Sequence, residues 1–219
     1  DLEMIRFREF AFCFIFLTNC SATNEEKQTD FQTLMGLSAS IISGPSPAVT
    51  VDTRKIITRE IIDNANVPLL FVEKEDGTNG TLGLFPDSGP IESWFGADGA
   101  IVTLSGGRIV ASRGMGEDLM GSKRFKTPVS HQYSNKMRYL TKDNQLEDHN
   151  FICIVSENTD FVTIDVFDKK YSVRRSVESC VSRNTTIENI FWRDTLGNMI
   201  ASHQFHSEKI GMLLIMRLN

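Results

Sequence analysis

From Leu69 onward the chain is built largely of short apolar or alternating runs, many of them bounded by turn residues such as glycine, asparagine and aspartate. Runs of this length with period-two alternation predict β-strands. Strands are predicted at 69–75, 81–85, 91–95, 100–104 and 108–111, and again at 151–155, 161–167, 171–175, 177–182, 187–193, 199–205 and 212–218. Asp76-Gly77-Thr78-Asn79-Gly80, Asp98-Gly99, Ser105-Gly106-Gly107, Asp168-Lys169-Lys170 and Thr195-Leu196-Gly197-Asn198 supply the turns. Such residues adopt the backbone angles that tight hairpins require. Between 114 and 150 the pattern fades into Lys, Asn, Gln and Asp, which predicts a short helix at 117–120, irregular structure to 142 and an exposed turn region at 141–150. Many short strands at regular spacing predict antiparallel sheet, closed as a barrel or stacked as a sandwich.

The pattern differs ahead of Leu69. Phe31, Leu34, Met35, Leu37, Ile41 and Ile42 recur at helical spacing, with Asp30 placed to cap and Gly44 to terminate. The expectation is one mainly β domain, barrel-like or sandwich-like, with a short N-terminal helix. Residues 21–30, SATNEEKQTD, lack periodicity and suit a flexible tether. Further upstream, Arg6 and Arg8 precede an apolar run from Phe10 to Leu17, and Cys20 follows. Basic start, short apolar core and closing cysteine form a lipoprotein signal peptide. The run is too short to span a bilayer, which takes about 20 apolar residues. Residues 1–19 are thus expected to be removed, with Asp1, Leu2 and Glu3 lying upstream of Met4 as initiator. Cys20 becomes the acylated N-terminus, 20–30 the lipidated tether and 31–219 the β domain. Asn19 is larger than the residue usual before such a cysteine, and Ser21 after it directs the protein to the outer membrane, on the periplasmic face.

Charge alters the picture little. The chain has 23 basic and 28 acidic residues and no basic cluster, so nucleic acid is not expected as a partner. Of the four cysteines, Cys13 leaves with the signal and Cys20 carries lipid. Cys153 and Cys180 remain, either as one disulfide in an oxidising compartment or as two buried thiols. They are expected to pair if strands 151–155 and 177–182 are neighbours. No zinc-ligand spacing is present.

Catalytic motifs are wanting. Gly44-Pro45-Ser46-Pro47 lacks the second glycine of a nucleophile elbow. His203 and His206 lie three apart in a predicted strand, so they point to opposite faces and form no metal site with Glu208. Gly114-Met115-Gly116 is not a dinucleotide loop, because Leu119 stands where the third glycine belongs. Glu92, Asp98, Glu117 and Asp118 offer carboxylates near one another, as a glycosidase needs. Asp98 in its turn and Asp118 at an element start have simpler roles. No catalytic residue, metal or cofactor is assigned. Trp94 could stack on a sugar while Arg108 or Arg113 meets an acidic sugar carboxylate in bidentate fashion. A strand tryptophan also serves as core packing, and both readings stand for Trp94 and Trp192. The asparagine sequons at Asn79 and Asn184 are read as chance matches.

One constellation goes beyond patterning. Ile57-Thr58-Arg59-Glu60-Ile61-Ile62 leads to Pro68-Leu69-Leu70; Trp94 precedes Asp98-Gly99-Ala100, then Gly107-Arg108-Ile109-Val110, Gly114-Met115 and Asp118-Leu119. Phe191-Trp192, Gly197, Ser202 and Gln204 follow. In this order, after a lipoprotein signal, the chain resembles the YjbF/GfcB (YmcC) family of group 4 capsule lipoproteins, from about Gln32 to Leu218. It departs from the pattern at Ala111-Ser112-Arg113, where a threonine is expected before the glycine. The resemblance implies a barrel-like fold at the periplasmic face of the outer membrane. It also implies a non-enzymatic accessory role in capsule or exopolysaccharide assembly and export. The implied partners are the membrane, through the lipid, and components of the polysaccharide export machinery. A carbohydrate-binding module using Trp94, Arg108 and Arg113, or a periplasmic glycan-modifying hydrolase, are the alternatives, the first with polysaccharide itself as partner.

Overall fold

A computed structural model describes residues 52–86, 89–141, 143–183 and 185–219. The predicted helix over 31–42, the tether, Cys20 and Asn184 lie outside the described residues. A 3-10 turn (Thr53–Lys55) and a helix α1 (Arg59–Asp63) open the described chain. Twelve strands follow: β1 (Leu69–Lys74), β2 (Asn79–Leu84), β3 (Ile91–Phe95), β4 (Ile101–Ser105), β5 (Arg108–Arg113), β6 (Asp118–Lys126), β7 (Gln132–Leu140), β8 (Leu146–Val166), β9 (Lys169–Val181), β10 (Thr186–Arg193), β11 (Met199–Ser207) and β12 (Gly211–Arg217).

Their order in the sheet is β5-β4-β3-β2-β1-β12-β11-β10-β9-β8-β7-β6. Every pairing is antiparallel; each strand pairs with its chain neighbours, β5 and β6 excepted, and β1 also pairs with β12. The sheet curls into a nearly closed barrel. Its seam falls between β5 and β6, which follow each other in the chain but do not pair. Of the two architectures the sequence allowed, the barrel is the one formed.

Two expectations fail in the middle of the chain. Residues 117–120 are not helical, because Asp118 begins β6. The stretch read as irregular contains β6 and β7, and the turn region at 141–150 shrinks because β8 begins at Leu146. The reason is the polarity of the inward register here: Ser122, Arg124, Tyr133 and Asn135 line the barrel's cleft, so the apolar alternation that marks a strand is missing. Elsewhere, strands predicted in pieces are continuous. Residues 151–155 and 161–167 belong to one 21-residue strand with an irregularity between Glu157 and Phe161, and 171–175 and 177–182 belong to β9.

The barrel interior is filled by Leu70, Val72, Leu82, Trp94, Leu104 and Ile215, among others. A second core lies outside the wall. The tip of the long β8–β9 hairpin lays Val166, Phe167 and Val173 over Leu69, Phe71 and Ile200, with Ile62 of α1 and the half-buried Trp192 beside them. Phe71 and Phe167 meet edge-on at 5.2 Å. β1 is therefore buried on both faces, which explains its unbroken Leu-Leu-Phe-Val run. The hairpin turns on Phe167 and Asp168, at φ 49° and 65°, one residue earlier than predicted. Left-handed backbone costs a non-glycine residue roughly 1–2 kcal/mol, which docking of the Phe167 ring offsets.

Cys153 and Cys180 face each other across the β8–β9 ladder, with Cα atoms 4.0 Å apart, and are joined as a disulfide. The bridge closes a separation of 27 residues. Replacing both cysteines by alanine is expected to lower stability by about 2–4 kcal/mol. Denaturant unfolding of the double variant against the oxidised parent checks this, and an unchanged midpoint would contradict it.

Candidate functional site

The seam is where the fold leaves strand edges to be satisfied. β5 starts from the Gly106-Gly107 turn, whose φ values of 55° and 79° suit glycine. A side chain at Gly107 is also impossible sterically, since its Cβ would sit 2.5 Å from that of Met199. The free edge of β5 then meets the Gln204 amide projecting from β11. The Ile109 N–H donates to Gln204 Oε1 (3.0 Å), and Gln204 Nε2 donates to the Gly107 carbonyl (2.8 Å) and to Ser202 Oγ (2.8 Å). One carboxamide thus stands in for a neighbouring strand, and the buried backbone groups keep their partners.

Lower down, Ser112 bridges the two edges. Its Oγ accepts from the Leu119 N–H of β6 (3.0 Å) and lies 2.8 Å from His206 Nε2. This serine–histidine pair is structural. Ser112 and His206 are 2% and 0% exposed, and no acid orients the ring, because His206 Nδ1 has no partner among the described residues. A triad needs both access and that third group. Burial pushes the His206 pKa down to about 4, so the imidazole stays neutral. Tyr139 donates its hydroxyl to the His206 carbonyl, and burial raises the phenol above its ordinary pKa.

Beyond Ser112 the strands splay and a cavity of about 220 Å³ opens between them. Arg108 and Ile109 line one side, Ser122, Lys123 and Arg124 the other, with Tyr133 and Asn135 behind. Glu178 forms the floor, its side chain 3% exposed. Its carboxylate accepts from Arg108 Nη1, from the Tyr133 hydroxyl and from Asn189 Nδ2 (2.7 Å). Asn189 is itself held by the Phe205 N–H (2.7 Å). The Arg108 guanidinium lies 4.4 Å from the Phe191 ring centre, and that of Arg124 lies 4.8 Å from that of Tyr133. Burial draws the Arg108 pKa below its ordinary value; Glu178 opposes this and Arg124 adds to it. Cys153, Cys180 and Glu178 bring ligand-type atoms within 4.8 Å of one another. The sulfurs are bonded to each other and the carboxylate is engaged by Arg108, so the trio is not arranged to hold a metal.

The residues singled out in the sequence do not converge. Trp94 is 1% exposed within the core, under the Arg217 guanidinium at 5.3 Å, and no sugar ring can reach it. Arg108 lies in the cleft, engaged with Glu178. Arg113 is exposed at the far end of β5, five positions from Arg108, or about 17 Å along a strand. The carboxylates also have structural partners. Glu92 pairs with Arg217, Asp98 accepts from the Ala100 N–H (3.0 Å), and Asp118 from the Met115 N–H (3.3 Å). Asn79 is buried and accepts from the Thr53 N–H (2.8 Å). Sequence reading missed Arg124, Tyr133, Glu178 and Asn189. The available signal was a polar residue on the inward register of a strand, which becomes legible once the strand's pairing is known.

A twelve-stranded antiparallel barrel with a polar, arginine-lined cleft at its seam defines the class: a β-barrel module. Over residues 37–218 the sequence matches the family described as group 4 capsule polysaccharide lipoprotein gfcB, YjbF, and the chain belongs to that family. The hypothetical lipoprotein YmcC from Escherichia coli (K12) is similar in structure, with a TM-score of 0.65 and 14% identity over 74% of this chain and 89% of that one. At that identity the likeness concerns the fold. No curated protein matches the sequence.

Proposed function

We propose that the protein is a non-enzymatic accessory of capsule or exopolysaccharide assembly and export, anchored through acylated Cys20 at the periplasmic face of the outer membrane. The observation that carries this reading is membership of the capsule lipoprotein family across nearly the whole β domain. The basic start, short apolar core and Cys20 support the anchor. Several acyl chains on one cysteine bury enough methylenes, at about 0.8 kcal/mol each, to hold a protein stably. The partners on this reading are components of the export machinery.

Deletion of the gene, with surface glycan measured, is the direct test. Surface glycan is expected to fall, to recover with the wild-type gene, and to recover less with Cys20→Ser, whose product leaves the membrane fraction. Unchanged glycan on deletion would remove the accessory role. An uncleaved product in the cytosol would remove the anchor.

A further inference from the structure

The cleft at the seam has a chemistry that the fold does not require. The protein carries a formal charge of −5, yet two arginines, Arg108 and Arg124, meet here beside the single carboxylate of Glu178. Among the described residues, the Arg108 hydrogen bonds to Glu178 and Tyr133 run through Nη1. That leaves Nη2 and Nε for a second oxyanion, and a guanidinium is suited to exactly such planar pairs of contacts in its two forks. Arg124, across the opening, is oriented by stacking on Tyr133, which does not neutralise it. Ser122 donates to Asn135 Oδ1 (2.9 Å), so both line the cavity as a fixed polar pair. At about 220 Å³ the cavity falls below the ~300 Å³ of sites for drug-sized molecules, and it suits one sugar unit. The opening lies between β5 and β6, the two strands of the barrel that do not pair.

We propose that the seam cleft binds one anionic sugar residue of a polysaccharide, its acidic group held between Arg108 and Arg124 and its hydroxyls against Ser122 and Asn135. The assignment rests on the accessory reading above and gives it a ligand class. Carboxylate and phosphate substituents share the chemistry that the two arginines recognise.

Calorimetry on the detergent-solubilised full chain tests it with four probes: tetragalacturonate, glucose 1-phosphate, neutral maltotetraose and inorganic phosphate. At least one anionic sugar is expected to bind about ten-fold or more tightly than maltotetraose and inorganic phosphate, and to weaken with salt. Which of the two binds identifies the acidic group. Arg124 is exposed, so Arg124→Gln should keep the unfolding midpoint while weakening that binding about ten-fold. The proposal is overturned if neither acidic sugar binds, if maltotetraose binds equally, if inorganic phosphate alone binds as tightly, or if Arg124→Gln binds like the parent. The deletion strain keeps the two readings apart. Lost surface glycan with no sugar binding removes only the cleft assignment, whereas binding with unchanged glycan removes only the accessory role.

Discussion

Replacing Arg108 by alanine is expected to destabilise the barrel by about 3–5 kcal/mol, the usual loss when one partner of a buried ion pair is removed. The Arg108 and Glu178 side chains are 17% and 3% exposed. Without the guanidinium, the carboxylate keeps only Tyr133 and Asn189. The stacking of Arg108 on Phe191 is lost as well. For a domain of this size each kcal/mol moves the melting temperature by about 2–4 °C, so a fall of roughly 6–20 °C should appear in a thermal melt. Combining Arg108→Met with Glu178→Leu should recover only part of that loss: an apolar pair needs no counter-charge, but the Tyr133 hydroxyl and Asn189 Nδ2 lose their acceptor. A single variant that melts like the parent would mean that the pair is solvated and the cleft has a different floor.

Trp94→Ala is expected to cost about 3–5 kcal/mol for a different reason: it empties the largest fully buried side chain in the barrel. Trp94 sits on β3 between Leu84 of β2 and Val102 of β4, and the ion pair of Arg217 with Glu92 covers its outer end. Its Nε1 is buried with no hydrogen-bond partner among the described residues. Phenylalanine removes that unpaired donor, so Trp94→Phe should retain most of the stability that alanine loses. Any fall in surface glycan with Trp94→Ala should then accompany a fall in melting temperature. Circular dichroism melts paired with glycan measurement decide the matter. A normal melt with lost glycan would place the tryptophan at a contact surface after all.

These two residues illustrate how far local pattern reaches. Trp94 was legible as a strand residue, yet its exposure was not, since alternation divides a strand into two faces without saying which face is covered. The sequence offers Arg108 as a contact for an acidic sugar; only the fold shows Glu178 of β9, 70 residues further along the chain, beneath it. The serine and glutamine of Ser202 and Gln204 were noticed in the sequence, but their use became visible only when β11 crossed behind the free edge of β5.

Sequence alone determined several of the turns, the positions of most strands, and that Cys153 and Cys180 each lie in a strand-like run. Glycine-bearing turn residues and period-two alternation are local properties of a few adjacent residues, so they can be read without knowing any distant contact. Tertiary structure decided the barrel closure through β1 and β12, the second core under the β8–β9 tip, and the cleft at the β5–β6 seam. Each depends on which distant strands lie side by side. Where the inward-facing register is polar, as in β6 and β7, the hydrophobic code falls silent and only the assembled barrel shows which side is in.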